Sequence, residues 1–403
     1  MANAPVRVAH IITRMILGGA QESTLAICDG LRRRSGWDPV LITGPPLGPE
    51  GELLSEATRR NVPLILVPEM RREVHPWRDT VAFLKLVRIL RRARPTIVHT
   101  HSSKAGVLGR LAAHAARVPL ILHMIRGLPF HPYASPTANA VFFTAERIAA
   151  RVTDHFTAVG SVMADKAAEA GLGDPDDFTV IRSGIDLSAY ENVRRHREEA
   201  RRRFGFAPDD VVIGKVARLF ELKGHRFLIR AAPRIVDRCP TARFLFLGEG
   251  ILREELEALA DRLGVRDRIT FAGLVPPNEI PALVGGMDVL VHTSLREGLA
   301  RVLVQALLCE TPVVTYDLDG APEVIIDGVT GRLVPGESVD ELADAVIWTI
   351  QHPEQARAMA REGRRRFARE FSVQNTIETT QALYRGLLRR HGLPVPLTSL
   401  PPR

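Results

Sequence analysis

The stretch from His292 to Arg332, HTSLREGLARVLVQALLCETPVVTYDLDGAPEVIIDGVTGR, most constrains what this chain can fold into. With the apolar run MDVLVHTS leading into it, it reads strand, loop, helix, strand, loop and the start of a further helix. The repeat ARVLVQALLCE has a helical period, PVVTY is short and β-rich, and Gly298, Gly320 and Pro322 mark the breaks. Strands alternating with helices imply a parallel sheet. In such a sheet the loops leaving the carboxyl ends of the strands form the binding face, and each following helix aims its free N–H groups at whatever sits there. Glu297, before Gly298, and Glu323, after Gly320-Ala321-Pro322, both stand at such loops.

The same alternation runs through the rest of the chain, and 403 residues exceed one ordinary core. Two domains are therefore expected, residues 1–190 and 191–371, the charged segment Glu191 to Arg203 reading as linker and the helix 372–392 crossing back to close the first domain. In the first half VRVAHIIT is a strand running into Gly18-Gly19 and a helix. That pair either lets backbone approach an anionic ligand or makes a tight turn. A later helix opens at Ser102-Ser103-Lys104, with serine as its cap. Lys104 has the wrong sign for the dipole, so it either meets an anion there or is solvated. In the second half, VVIGKVARLFELKGH places Arg218 and Lys223 five apart in a loop at a strand's carboxyl end, able to converge on one diphosphate. Asp317-x-Asp319 has the spacing of a metal site but lies in a loop, where aspartate is common.

Composition narrows the partners. Arg59 to Arg117 holds 13 basic residues against 3 acidic ones, within a net charge of +8. Such a face is either solvated arginine or a surface for an anionic membrane. Nucleic acid is disfavoured, because no recognisable module for it is present and aromatics are 5% of the chain. Cys28, Cys239 and Cys309 lack metal-ligand spacing and read as buried small hydrophobes. No apolar run reaches the roughly 20 residues that span a bilayer, and the N-terminus has no signal-peptide pattern, so a cytoplasmic protein is expected.

The pattern Glu297-Gly298, small residues, a polar residue eight positions on at Gln305, then Gly320-x-Pro322-Glu323 and Gly328-x-x-Gly331-Arg332 resembles the donor site of retaining glycosyltransferases of family 4. Arg218-x4-Lys223-Gly224 resembles that family's diphosphate element, Gly18-Gly19-Ala20 its first glycine loop, and Ile181 to Asp186 its Ile-x-Asn-Gly-Ile-Asp turn with Arg182-Ser183 substituted. Ser103-Lys104-Ala105-Gly106 with Leu108-Gly109-Arg110 looks like transferases that build bacterial surface polysaccharides on lipid carriers. The resemblance implies an α/β protein of GT-B fold, two Rossmann-like domains facing a cleft, with the acceptor on the first and a nucleotide-sugar, UDP favoured, on the second. It implies Glu297, Arg126, Lys223 and Arg218 as catalytic. It implies Gly18, Gly19, Gly248, Gly298, Leu299, Ala300 and Gln305, with Arg218, Lys223 and Glu297, as donor-binding. No metal or other cofactor is implied. The expected acceptor is a lipid-linked glycan, met by a peripheral enzyme at the inner face of the cytoplasmic membrane.

Two further positions depart from the pattern. Gln305 replaces a glutamate, keeping an acceptor oxygen for a ribose hydroxyl and losing charge, at a cost on the order of 1 kcal/mol. Arg126 replaces a histidine that contacts the transferring sugar. Arginine stays protonated and cannot act as a base. Either a substrate carries an extra anionic group, or His123 or His131 takes over the contact, or transfer is impaired. Alternatives to the transferase are thus a nucleotide-sugar-binding protein without catalysis and, less favoured, a nonhydrolysing sugar-nucleotide epimerase.

Overall fold

A computed structural model of the chain describes residues 4–48 and 51–396. In chain order its strands are β1 (Val6–Arg14), β2 (Trp37–Gly44), β3 (Leu64–Leu66), β4 (Ile97–His101), β5 (Leu120–Ile125), β6 (His155–Ala158), β7 (Phe178–Val180), β8 (Val211–Val216), β9 (Ala242–Leu247), β10 (Ile269–Gly273), β11 (Val289–His292), β12 (Val313–Tyr316) and β13 (Arg332–Val334). Its α-helices are α1 (Gly19–Arg32), α2 (Leu54–Arg59), α3 (Pro76–Ala93), α4 (Ser103–Ala115), α5 (Pro136–Ala150), α6 (Ser161–Glu169), α7 (Arg197–Arg202), α8 (His225–Arg238), α9 (Arg253–Arg262), α10 (Ile280–Gly285), α11 (Arg301–Leu308), α12 (Val339–Gln351), α13 (Pro353–Phe367) and α14 (Val373–Arg390).

The strands form two wholly parallel sheets, ordered β3-β2-β1-β4-β5-β6-β7 and β10-β9-β8-β11-β12-β13. Parallel strands need helical crossovers that cover both faces, so their sequences are apolar on both sides. Val8 to Ile12 and every residue of β4 and β5 are buried accordingly. In each sheet the chain leaves one central strand outward and returns on its other side, between β1 and β4 and between β8 and β11. Ligands bind doubly wound sheets at that reversal.

The chain divides into two compact units, one running to Gly184 and taking up the chain again from Val373, the other Ile185–Ser372. The division falls a few residues before the expected 190/191. The charged segment from Glu191 is not a linker but is bound into the second unit: Arg197 pairs with Asp288 at 2.5 Å and Arg201 pairs with it at 3.1 Å, while Asp288 also accepts the Val212 amide of β8. Helix α14 belongs to the first unit, where Tyr384, Leu387 and Leu388 complete a cluster with Val6, Val8 and Leu31. The expected helix after Gly320 is a single 3-10 turn, Ala321–Glu323. Val324 and Ile325 turn fully into the core behind it, and the Thr330 hydroxyl takes the Ile326 amide and donates to the Val324 carbonyl, closing a loop where a helix would continue.

Candidate active site

In the second unit, the reversal between β8 and β11 gathers most of the acidic and basic residues singled out in its sequence. Leaving β8, the chain passes Arg218 and turns through Lys223 to Gly224, the N-cap of α8. Gly224 has φ +65°, and a Cβ there would lie 2.0 Å from the Thr293 carbonyl, so only glycine permits this approach of the two loops. The Leu295 amide donates to the Leu222 carbonyl at 2.9 Å across the same seam. Leaving β11, the chain reaches Glu297, whose carboxylate accepts from the Lys223 ammonium. Gly298 and Leu299 follow, and Ala300 is the N-cap of α11. From the β12 loop, Asp319 accepts the Glu297 amide at 2.7 Å. Its carboxylate thereby pins the loop that carries Glu297.

Burial works to raise the Glu297 pKa, but the Lys223 ammonium, together with His292 and the Ser294 side chain, holds the carboxyl at about 2. Glu297 is therefore ionised throughout the neutral range. His292 stands 3.7 Å from the same carboxylate. Burial, then the neighbouring charge of Lys215, push its pKa down to about 3, so the imidazole is neutral. Neither of its ring nitrogens has a hydrogen-bond partner among the described residues. Beneath them Lys215, fully buried on β8, donates to Thr293 Oγ1 at 2.9 Å, and that hydroxyl donates to the Gly224 carbonyl at 2.7 Å. Burial lowers the Lys215 pKa to about 7, Lys223 lowering it further and Glu297 opposing.

A lysine whose folded pKa lies near 7 against roughly 10.4 when unfolded penalises the folded state in full below pH 7. The penalty fades as pH rises toward the unfolded value. Lys215→Met is therefore expected to raise the melting temperature by several degrees at pH 6 and to flatten the rise in stability between pH 7 and 10; thermal melts across that range check it.

Other predicted residues take supporting places. Arg218 is exposed, with its guanidinium over the Phe220 ring at 5.0 Å. Gly248, at φ +141°, ends β9 against this loop, where a Cβ would lie 2.1 Å from the Ala217 carbonyl. Gln305 is half-buried on α11, the other residues from Val302 to Leu308 being buried.

In the first unit, Gly18 is the N-cap of α1 after β1, Gly19 being the first helical residue. Arg126 follows β5, and its Nη1 donates to Ser183 Oγ at 2.8 Å, so two of the departures noted in the sequence meet. Arg126 lines a pocket of about 190 Å3 with Ser102, Ser103, His123 and Glu146. Glu146 is held there by the buried guanidinium of Arg110. Ser102 does not cap α4 with its side chain: its hydroxyl bonds that of Thr13 at 2.7 Å, and Thr13 Oγ1 takes the Ala105 amide instead. Lys104 is answered by Asp79 of α3 at 2.6 Å, so neither an anionic ligand nor solvent is needed to explain it.

Sequence reasoning missed Lys215, His292 and Thr293. The signal was a lysine in the middle of an apolar strand. It also missed His10, His99 and His101, whose ligand-type atoms lie within 4.8 Å of one another. Hydrogen bonds already use four of the six ring nitrogens: His10 Nδ1 to His101 Nε2 at 3.0 Å, and His99 to Tyr384 at 2.7 Å and to Thr157 at 3.0 Å. The cluster reads as a neutral polar core; burial, and then the nearby Arg126 charge, bring His10 to about 3.

Residues 196–366 match the family model described as glycosyl transferases group 1, and residues 18–184 match that of a glycosyl transferase 4-like domain. The chain is 30% identical over 302 residues to a D-inositol 3-phosphate glycosyltransferase of Actinosynnema mirum, covering 72% of each chain. It is 24% identical over 385 residues to the UDP-Gal:alpha-D-GlcNAc-diphosphoundecaprenol alpha-1,3-galactosyltransferase of Escherichia coli, covering 95% of this chain and 97% of that one. Among solved structures, Anabaena HepE in complex with UDP and glucose superposes with a TM-score of 0.80 at 21% identity, covering 94% of this chain and all of the other. That likeness speaks for the fold.

Proposed function

The chain belongs to the glycosyl transferases group 1, with the two-sheet α/β architecture of GT-B enzymes, and from that premise we propose that it moves a hexose or N-acetylhexosamine from a UDP-sugar to a hydroxyl of a lipid-linked glycan, with retention at the anomeric carbon. The observation that carries this reading is the meeting of Lys223 and Glu297 at the strand reversal of the second unit. UDP is favoured by the UDP-galactose donor of the E. coli relative and the UDP bound to Anabaena HepE, and the lipid-linked acceptor by the diphosphoundecaprenol substrate of the E. coli relative.

In this reading Lys223 exchanges Glu297 for the donor's diphosphate, and Arg218 and the amides opening α8 add to the positive field. Charge develops on the leaving phosphate as the bond from the anomeric carbon to its oxygen breaks, and preorganised cations lower the barrier there. This is why we propose turnover without a metal, to be checked by its insensitivity to a chelator. The acceptor oxygen forms its bond on the leaving-group face and passes its proton to the departing phosphate. Glu297, freed from Lys223, accepts from sugar hydroxyls beside the neutral His292. Incubation with UDP-glucose or UDP-galactose and an undecaprenyl-diphosphate-linked sugar, followed by NMR of the product, tests the proposal. An α-linked product is expected. A β-linked product overturns retention, and no product from any nucleotide-sugar overturns the transferase reading.

Arg126 and Gln305 keep one second reading open, a nucleotide-sugar binder without transfer. Turnover created by Arg126→His where the unaltered chain has none would favour it.

We also propose a membrane-facing surface on the first unit. No helix among the described residues is long and apolar enough to cross a bilayer. Helix α3, however, exposes Trp77 and Leu84, seven residues apart on one face with Arg88 and Arg91. An aromatic and an aliphatic side chain among basic residues suit the headgroup boundary of an anionic surface. Flotation with vesicles containing phosphatidylglycerol should carry the protein and Trp77→Ser should reduce this severalfold; flotation indifferent to anionic lipid contradicts it.

A further inference from the structure

Lys215 is a buried titratable group of the second unit with no part in the proposed transfer. It is fully buried at the carboxyl end of the central strand β8, and among the described residues its three N–H donors have one hydrogen-bond partner, Thr293 Oγ1 at 2.9 Å. Through that hydroxyl it reaches the Gly224 carbonyl at the N-cap of α8. One ammonium thus ties together the turn that carries Lys223 and the strand end that carries His292 and Glu297. The charged and titratable groups around it are Lys223 on the β8–α8 loop, His225 on α8, His292 on β11 and Glu297 on the following loop.

We propose that Lys215 is a positioning residue of the donor site that takes up a proton when a nucleotide-sugar binds, its ammonium then replacing Lys223 as the countercharge of Glu297. This rests on the donor reading of the same loops. Before binding, Glu297 is answered by Lys223, and a second ammonium beside them gains little for its desolvation. A bound diphosphate draws Lys223 away and adds negative charge to the site. Both changes favour the protonated form of Lys215. The proton comes from solvent, and the charge balances: one proton gained against one cation turned to the phosphate.

The surroundings make the uptake attributable. His225 and His292 are held neutral by burial, well below the working range, and Glu297 stays ionised. Lys215 itself, near 7 in the unliganded protein, is mostly deprotonated at pH 8. In a nucleotide-sugar each phosphate has an ester bond on one side and the shared anhydride bond on the other, so neither has the second proton, with a pKa of about 6, that a terminal phosphate carries.

The test is calorimetric titration of the full chain with UDP-glucose and UDP-galactose in buffers of different ionisation enthalpy, at pH 6 and pH 8. About half a proton or more taken up per nucleotide-sugar at pH 8, falling to near zero at pH 6 where Lys215 is already charged, is the expected result. Lys215→Met should abolish the uptake at pH 8 while saturable binding remains, and Thr293→Ser, which preserves the tether, should keep it. The pH 6 against pH 8 contrast in the unaltered chain serves should Lys215→Met fail to fold. Saturable heat without uptake at pH 8, or uptake that persists in Lys215→Met, overturns the assignment of Lys215 and leaves the donor site standing. No saturable heat at either pH removes the donor reading, and this assignment with it.

Discussion

Glu297→Gln is expected to lower transfer by roughly ten- to 150-fold while leaving UDP affinity unchanged or a few-fold tighter. In the unliganded protein the Glu297 carboxylate holds the Lys223 ammonium and competes for it with an incoming diphosphate. Neutralising it removes the competitor. It also removes the charged acceptor that would hold the sugar's hydroxyls, where a charge-assisted bond contributes roughly 1.5–3 kcal/mol. The isosteric change keeps the backbone anchor, since Asp319 takes the Glu297 amide and not its side chain. Steady-state rates beside calorimetric UDP titration separate the two effects. A parallel loss of both would mean that Glu297 serves the nucleotide and not the sugar.

Lys223→Ala is expected to act in the opposite way, weakening UDP by roughly ten- to 150-fold from the lost charge-assisted bond alone. The effect should be larger in practice, because the Glu297 carboxylate, no longer paired with Lys223, would face the diphosphate. The double variant Lys223→Ala with Glu297→Gln should therefore bind UDP better than Lys223→Ala does. Residues in one ion pair do not add, and simple additivity in this cycle would argue that the pair is not at the diphosphate.

Why some of this was legible in the sequence and some was not follows from the range of the interactions. The strands of both sheets were readable because burial on two faces demands continuous apolar runs, and MDVLVHTS and PVVTY are such runs. Arg218, Lys223 and Glu297 were readable because loops at the carboxyl ends of parallel strands carry ligands in this fold. The helix expected after Gly320 was not forthcoming, since Val324 and Ile325 serve the core at a spacing that no local pattern reveals. The role of Thr13 as cap of α4 depends on β1 and β4 being neighbours, which is a fact of topology. The same holds for Lys104 and Asp79, and for Lys215 with Thr293, whose partners lie on other elements. The segment from Glu191 looked like a linker because it is charged. Two of its arginines instead serve the second unit, Arg197 and Arg201 on Asp288 and Arg197 also on the carbonyls of residues 285–287.

The central claim is that the loops after β8 and β11 form a nucleoside-diphosphate site. Calorimetric titration of the unaltered chain with UDP, and in parallel with GDP, tests it most directly. One saturable site for UDP, with GDP weaker, is the predicted result; no saturable binding of either nucleotide would contradict it.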